Sequence, residues 1–284
     1  METVNARTNN WNDSLPKLGI GIGYRDQYRT DIFRHADSIE FLEITADHFF
    51  GNNQRSNDLL ELLTSRFPII PHGLGLSLGS AEGLDRDYLK RFKKLVDQVD
   101  PPWWSEHIAF TKADGIDIGH LTALPKTKAT LRCLKQNIEI AKASIDRPLI
   151  LENITQTISF SFDTFDEASF LGEIVNENDC GLLLDVTNLY INSINYRFDA
   201  MNVLHRLPPD RIVQLHFVGF HREGELLVDS HGQATNVEIW DLLKEVVQYA
   251  NVCGAILERD EHLPPFRELE NELNQMRHIM ARTT

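Results

Sequence analysis

The sequence predicts an α/β protein built as a single (β/α)8 TIM barrel, and three observations support this. Short apolar segments alternate with amphipathic ones from residue 17 onward, the alternation counts to eight, and no change in composition divides the 284 residues. Alternating strands and helices form a parallel sheet, and eight such units in this length match a closed barrel better than an open sheet. We expect one barrel domain over residues 17–284, preceded by a polar N-terminal extension over residues 1–16.

Eight short segments are predicted as the barrel strands. Each is mostly apolar, which is typical of parallel strands that are buried on both faces. The segments are residues 18–23, 39–44, 69–72, 104–109, 149–153, 181–186, 212–217 and 255–258.

Two of the intervening helices have the clearest pattern. Their apolar residues recur every three or four positions, which places them on one face of a helix. In residues 127–145 these are Leu131, Leu134, Ile138, Ala141 and Ile145, and from residue 266 onward they are Leu269, Leu273, Met276 and Met280.

Composition and charge exclude several classes of protein. Hydrophobic residues make up 42% of the chain and charged residues 25%, as in ordinary globular domains. The formal net charge of −14 and the absence of a dense Lys/Arg block oppose binding to nucleic acid. No stretch approaches the ~18 apolar residues of a membrane span, and the start, METVNARTNNWNDS, is too polar for a secretory signal. We expect a cytoplasmic enzyme with no membrane partner.

The three cysteines contain no CxxC pair of the kind that binds zinc or forms a redox dithiol. Cys133, Cys180 and Cys253 are far apart and lie in apolar or helical segments, so we interpret them as core residues.

Seven of the eight predicted strands end in an acidic residue or a histidine. These residues are Glu43, His72, Glu106, His107, Glu152, Asp185, His216 and Glu258. In a parallel barrel all strand ends meet at one mouth, which is where catalytic groups lie. A single histidine or carboxylate there is ordinarily a hydrogen-bonded structural residue. Such residues from seven strands would repel one another in a shared mouth and would lose hydration, unless cations bind or several pKa values are displaced. We therefore predict a site for more than one metal ion, and the mixed ligands favour iron, manganese or zinc.

Two further segments extend this predicted cluster. Asn188 follows Asp185 by three residues, close enough for its amide oxygen to join the same ion, although taken alone an ordinary loop residue or helix cap is the better explanation. In VDSHG, Asp229 and His231 are two residues apart, so in an extended strand their side chains face the same way and can hold one ion. A polar turn before Gly232 is the alternative.

Seven segments occur in an order that resembles a known family. They are HGLGLSLGS (72–80), SEHIAF (105–110), LILENIT (149–155), GLLLDVTNLY (181–190), QLHFVG (214–219), VDSHG (228–232) and LERD (257–260). The chain after residue 17 resembles the multinuclear non-heme iron-dependent oxidases, relatives of the methanobactin-biosynthesis iron enzyme that were formerly a family of unknown function.

The resemblance implies a xylose-isomerase-like barrel with two or three iron ions (Fe2+/Fe3+), zinc or manganese being the alternative. It implies nine metal ligands: His72, His107, Glu152, Asp185, Asn188, His216, Asp229, His231 and Glu258. Glu152, Asp185 and Glu258 would take part in catalysis by binding or bridging the metals. The implied reaction is dioxygen-dependent oxidation of cysteine in a ribosomally synthesised precursor peptide, and the resemblance also implies a separate peptide-recognition partner protein, as in several relatives.

The chain departs from the pattern of this family at three places. Thr187 stands where the family often has the first asparagine of DVNN, Asn195-Tyr196-Arg197 replaces a common Asn-His-Gly loop, and Phe220 stands where a histidine is frequent, with His221 beside it. These changes leave the nine ligands intact and bear on which substrate fits.

Two other functions are compatible with the same barrel. A trinuclear metal-dependent phosphodiesterase or endonuclease would need a basic groove, which the net charge of −14 opposes. A sugar isomerase or epimerase would need a lysine, histidine or carboxylate base that is free of the metals. A metal-storing or scaffold protein is the non-enzymatic alternative.

Overall fold

A computed structural model describes residues 11–51 and 53–281 of the chain. The strands in these ranges are β1 (Gly19–Gly23), β2 (Phe41–Thr45), β3 (Ile69–His72), β4 (Trp104–His107), β5 (Phe110–Ala113), β6 (Ile116–Thr122), β7 (Leu149–Glu152), β8 (Gly181–Asp185), β9 (Ile212–Phe217), β10 (Gly219–Glu223), β11 (Leu226–Gln233) and β12 (Gly254–Leu257). The α-helices are α1 (Arg29–Arg34), α2 (Gln54–Thr64), α3 (Arg86–Val99), α4 (Lys128–Ser144), α5 (Glu167–Glu177), α6 (Val186–Asn195), α7 (Ala200–Leu204), α8 (Val237–Tyr249) and α9 (Phe266–Ala281).

Eight parallel strands close into a barrel in the order β1-β12-β9-β8-β7-β4-β3-β2, which confirms the predicted (β/α)8 fold. All eight predicted strands are present, with ends that differ by at most two residues. The helix predicted over residues 127–145 is α4, and the side chain of Thr127 caps it by accepting a hydrogen bond from the backbone N–H of Thr130.

Two antiparallel hairpins stand at the carboxyl ends of barrel strands, and the periodicity did not predict them. The first, β5–β6, follows β4, which ends at His107 rather than at residue 109. The second, β10–β11, follows β9 after Phe217. Because the loops after parallel strands surround the mouth of a barrel, both hairpins form part of its rim.

Apolar side chains fill the lower half of the barrel, directly beneath the strand ends that carry polar groups. Side chains alternate between the two faces of a strand, so an inward ligand lies two residues after an inward apolar residue. This spacing holds for five pairs: Phe41/Glu43, Ile70/His72, Ile150/Glu152, Leu183/Asp185 and Ile256/Glu258. The apolar floor keeps water from reaching the polar layer from below.

A short 3-10 helix, Trp11–Ser14, covers this floor from the amino-terminal end of the strands. Asn12 is 1% exposed and donates a hydrogen bond to the carbonyl of Asn251 at 3.0 Å, and Trp11 packs against the floor residues. Part of the predicted extension therefore packs on the barrel. Residues 1–10 lie outside the described ranges, and the boundary between residues 16 and 17 stays a prediction.

Within residues 11–51 and 53–281, none of the helices has both the length and the apolar character that crossing a bilayer requires.

Two glycine substitutions test how tightly the barrel wall is packed. A Cβ at Gly21 would lie 2.5 Å from the carbonyl oxygen of Phe41 and 2.7 Å from Cδ1 of Ile256, whereas one at Gly172 on α5 would meet nothing within 4 Å. We expect Gly21→Ala to lower the free energy of unfolding by about 1–3 kcal/mol through overpacking. We expect Gly172→Ala to raise it by about 0.4–1 kcal/mol, because alanine restricts the unfolded chain. Urea unfolding measures both free energies of unfolding. Equal changes in the two variants would contradict the close packing described around Gly21.

Candidate metal centre

Six of the predicted ligands gather inside the mouth of the barrel, each at or next to the end of its strand. They are His72, His107, Glu152, Asp185, His216 and Glu258, and none is more than 9% exposed. Their ligand atoms fall into compact groups in which all atoms lie within 4.8 Å of one another. The fold thus brings together residues that are up to 186 positions apart in the chain.

The first group consists of His72, His107 and Glu152. The Nε2 atoms of the two imidazoles lie 3.2 Å and 3.3 Å from Oε2 of Glu152. The two rings are 4.5 Å apart between centroids and meet edge to face. Two imidazole nitrogens and one carboxylate oxygen thus face a common point, as in a three-residue metal site.

The second group shares Glu152 with the first and adds Asp185, His216 and Glu258. Nδ1 of His216 lies 3.1 Å from Oε1 of Glu152 and 3.0 Å from Oε2 of Glu258. The two oxygens of Glu152 therefore face different groups, which is the arrangement of a carboxylate that bridges two ions.

A third group lies nearer the rim and contains His231, Glu258 and Asp260. Nδ1 of His231 is 3.7 Å from Oε2 of Glu258 and 3.2 Å from Oδ2 of Asp260. Because Glu152 belongs to the first two groups and Glu258 to the last two, the three groups form a row with shared carboxylates.

Four buried atoms of this row lack a hydrogen-bond partner: His72 Nε2, Glu152 Oε2, Asp185 Oδ2 and Glu258 Oε2. Buried polar atoms are almost always satisfied, and leaving a charged one unsatisfied is costly. All four belong to residues that were predicted as ligands, and they lie where an ion would sit. The donor set of imidazole nitrogens and carboxylate oxygens therefore fits iron, manganese or zinc.

Neighbouring groups hold the first two histidines in their orientation. Nδ1 of His72 lies 2.8 Å from the hydroxyl of Ser105, and Nδ1 of His107 lies 3.0 Å from the carbonyl oxygen of Gly73. With Nδ1 occupied on each ring, Nε2 is left for the metal. Such partners of metal-binding histidines fix both the tautomer and the ring plane.

Glu106 faces away from the centre, although it is adjacent to His107 in the sequence. It is 1% exposed, and its carboxylate accepts hydrogen bonds from the backbone N–H groups of His107 at 2.8 Å and Leu76 at 3.1 Å. Consecutive residues of a strand point to opposite faces, so Glu106 and His107 cannot both face the barrel interior. Glu106 instead anchors the loop after β3.

Asn188 lies in the first turn of α6, beside Asp185, as the spacing indicated. Its backbone N–H donates to Oδ1 of Asp185 at 2.6 Å, so Asp185 caps this helix. Its amide oxygen accepts a hydrogen bond from the hydroxyl of Thr155, and its amide nitrogen donates to the carbonyl of Asn153 at 3.2 Å. The side chain is thus fixed next to Asp185, and the role of Asn188 as a ligand stays a prediction.

Asp229 and His231 meet on β11, with Oδ2 and Nε2 2.7 Å apart, but not through an extended strand. His231 has φ of 50°, in the left-handed region, and the pairing of β10 with β11 shifts register beside it. A non-glycine residue with this conformation costs about 1–3 kcal/mol and is typical of functional sites. The pair therefore forms at an irregularity of the hairpin, and its binding of metal stays a prediction.

Charge compensation shifts the pKa values of these residues strongly. Burial alone would lower the pKa of His107, but the charges of Glu152 and Glu106 outweigh it and raise the pKa to about 9. Burial opposes the shift in Glu152, yet the neighbouring histidines hold the pKa of that carboxyl below its ordinary value. The pKa of Asp185 is raised well above its ordinary value, by burial and then by the charge of Glu152. Such opposed shifts in one cleft indicate a functional site.

Two residues of the cluster were not proposed as ligands from the sequence. Asp260 lies two residues after Glu258, so in extended chain both face the same side, and this spacing was the available signal. Glu43 was noticed as a strand end but had no assigned role; it groups with His72 and Glu258. Arg25 forms an ion pair with Asp260, which holds that carboxylate near His231.

The fold and the buried ligand groups together define a barrel of the xylose-isomerase-like class with a candidate metal site at its mouth. Solved structures of this class superpose over most of the chain. The 3-keto-D-glucoside 4-epimerase YcjR from E. coli has a TM-score of 0.60 at 15% identity, covering 92% of this chain and 100% of the other. A xylose isomerase-like TIM barrel protein from Mycobacterium smegmatis, in complex with magnesium, has a TM-score of 0.53 at 8% identity, covering 83% and 81%. These likenesses confirm the fold class.

Sequence comparison identifies the family more narrowly. Residues 19–281 match the family described as RiPP precursor modification enzyme MbnB/TglH/ChrH, where RiPP denotes a ribosomally synthesised and post-translationally modified peptide. A UPF0276 protein of Caulobacter vibrioides is 34% identical over 263 residues, 92% of this chain and 94% of the relative. A UPF0276 protein of Shewanella oneidensis is 34% identical over 265 residues, 93% and 94%. The chain belongs to this family of RiPP precursor modification enzymes, which confirms the resemblance found in the motifs.

Metal binding is expected to release protons, because the pKa values of His107 and His216 lie above their ordinary value. The pKa of His107 is about 9, so at lower pH its imidazole is positively charged in the metal-free protein. A metal ion that binds this imidazole must displace the additional proton. Affinity should therefore rise with pH between 6 and 8, by about tenfold per pH unit for each proton released. Competition with a chelator at pH 6, 7 and 8 measures this. A pH-independent affinity would contradict the charge balance described above.

Proposed function

We propose that this protein is a multinuclear iron-dependent, dioxygen-using oxidase that modifies cysteine residues of a ribosomally synthesised precursor peptide. The observation that carries the proposal is the row of three ligand groups with shared Glu152 and Glu258, in a chain that belongs to a family of precursor-modifying enzymes. Such a row suits two or three neighbouring ions better than one.

Within this row Glu152 has the central position. Oε2 faces His72 and His107 at 3.2 Å and 3.3 Å, while Oε1 faces His216 at 3.1 Å. A carboxylate placed between His72 and His107 on one side and His216 on the other would hold neighbouring ions together, which is what multi-metal chemistry requires of the protein. Asp185 and Glu258 complete the second group, and Asn188, Asp229 and His231 are proposed to complete the ligand set.

Bound iron would supply the one-electron redox chemistry, the site for dioxygen and the site for the substrate thiolate. The chain supplies the geometry of the ligands and their burial: the apolar floor excludes water from below, and the strands hold the ligands at the base of the mouth. We propose that the peptide enters from the rim, between the β5–β6 and β10–β11 hairpins. A peptide-recognition partner protein is proposed to deliver it.

The iron and oxygen requirement can be measured on protein that is purified under anaerobic conditions. We expect two or three equivalents of iron by elemental analysis, the Mössbauer spectrum of a multinuclear non-heme site, and oxygen consumption with a cysteine-containing precursor peptide. Folded protein that takes up zinc alone, and consumes no oxygen with any cysteine peptide, would contradict the oxidase.

Glu152→Gln is expected to lose most of the bound iron, because an amide cannot supply two anionic oxygens to neighbouring ions. The barrel should stay folded, since the substitution preserves side-chain volume and leaves the apolar floor beneath the site unchanged. Iron content and circular dichroism measure the two effects.

Glu167→Gln is the matched control. Glu167 is also a carboxylate that is 9% exposed, but it pairs with Lys126 at 3.0 Å, outside the ligand groups. We expect this variant to keep its iron. Full iron content in Glu152→Gln would remove Glu152 from the site.

A further inference from the structure

The residue that follows Glu152 binds the backbone of Asp185 through its side chain. The amide oxygen of Asn153 accepts a hydrogen bond from the backbone N–H of Asp185 at 2.9 Å, and its amide nitrogen donates to the backbone carbonyl of Asp185 at 2.9 Å. A backbone N–H can only donate and a backbone carbonyl can only accept, so these partners fix the orientation of the amide. Asn153 is 2% exposed, and both hydrogen bonds are therefore shielded from water.

These two hydrogen bonds continue the sheet beyond the point where the strand pairing stops. β7 pairs with β8 as far as Glu152, which lies beside Leu183, and β8 then runs two residues further to Asp185. On its other edge Asp185 still pairs with β9, beside His216. The side chain of Asn153 thus supplies, on the β7 edge, the donor and the acceptor that another strand residue would provide.

Asp185 depends on this support because the chain changes conformation immediately after it. Asp185 has φ of −75° and ψ of 109°, in the extended region, and α6 begins at the next residue, Val186. Its Oδ1 caps this helix by accepting from the backbone N–H of Asn188, whereas its Oδ2 is buried and has no hydrogen-bond partner. A backbone that is held on both edges keeps Oδ2 in place for a metal ion.

We infer that Asn153 is a positioning residue, which ties the backbone of Asp185 to the end of β7 and so sets the distance between Glu152 and Asp185. The inference rests on the proposed metal site. Glu152 and Asp185 both belong to the second ligand group, so Asn153 couples the strand ends that carry two carboxylates of that group.

The first ligand group does not depend on this contact. It consists of His72, His107 and Glu152, without Asp185. Glu152 reaches it through the pairing of β7 with β4, in which Glu152 lies beside His107. Loss of the Asn153 side chain should therefore weaken the second group and leave the first intact.

Asn192 on α6 offers a matched control. It is 1% exposed, its amide nitrogen donates to the backbone carbonyl of Ile154 at 2.9 Å, and its amide oxygen accepts from the backbone N–H of Gln156 at 2.8 Å. Like Asn153, it uses both ends of a buried amide to join the loop after β7 to the segment formed by β8 and α6. Neither of its partners is a predicted ligand.

The first test titrates the full-length wild-type protein, Asn153→Ala and Asn192→Ala with Co2+ under anaerobic conditions, followed by visible absorption and equilibrium dialysis. We expect Asn153→Ala to bind one ion about 10–100-fold more weakly, as for other partners of metal ligands, and to hold another within about threefold of the wild-type affinity. Asn192→Ala should bind every ion as the wild type does. A purely structural role would weaken all ions or none.

The second test measures the contact in metal-free protein by amide hydrogen exchange. Asn153→Ala should accelerate exchange of the Asp185 amide about tenfold, because a buried acceptor is lost, and should leave the Gln156 amide protected. Asn192→Ala should have the opposite pattern. Urea unfolding should show similar losses of stability in the two variants, so that a difference in metal binding cannot come from stability.

Selective loss of one ion in Asn153→Ala, together with faster exchange at Asp185, supports the inference. Wild-type affinity for every ion, an equal loss of all ions, the same loss in Asn192→Ala or unchanged exchange at Asp185 overturns it. A wild-type protein that binds metal but consumes no oxygen with any cysteine peptide would overturn the proposed oxidase alone. A wild-type protein that binds no metal would overturn both.

Discussion

The balance of charge in the buried mouth of the barrel is the constraint on which the site depends. Glu43, Glu152, Asp185 and Glu258 gather in space that excludes water, and burial disfavours each negative charge. The facing imidazoles compensate, which is why the pKa of Glu258 is held low while that of His216 is raised: burial opposes both shifts and the mutual attraction outweighs it. Bound metal ions would be a stronger compensation, and they would also satisfy the buried oxygens that no hydrogen bond reaches.

This charge balance requires precise geometry. The barrel provides it because side chains along each strand alternate between the two faces of the sheet. Each inward ligand stands two residues above an inward apolar side chain, so its height is set by the packing of the floor. The second nitrogen of two central histidines is fixed by a separate partner, Ser105 for His72 and Gly73 for His107, whereas Nε2 of His216 lies beside both Glu43 and Gln214. Floor, ligands and partners thus form successive layers, and a shift in one would misplace the next.

The barrel and the clustering of six candidate ligand residues could be predicted from the sequence because both follow from local signals. Short apolar strands alternate with amphipathic helices, and the polar residue that ends a buried strand lies at the mouth. The hairpins escaped prediction because β6 is mostly exposed and lacks the apolar run used to find strands. The separate roles of Glu43 and Glu106 depend on which face of a strand each occupies. The orientation of Glu106 follows from the sequence, because a residue next to the inward His107 must face outward. The contact between Glu43 and His216 joins residues that are 173 positions apart in the chain, so the sequence spacing does not predict it.

The three departures from the family pattern lie in one part of the rim, and each makes a contact within the protein. The hydroxyl of Thr187 donates to the carbonyl of Val218 at 2.8 Å, so it ties α6 to the end of β9. The hydroxyl of Tyr196 donates to the carbonyl of Gln156 at 3.0 Å, which fixes the loop after β7.

The ring of Phe220 stacks on Tyr190, with centroids 5.4 Å apart. At all three positions the side chain thus stabilises the rim of the mouth. None of the three residues belongs to the candidate ligand groups, so they bear on the shape of the rim and leave the donor set unaffected.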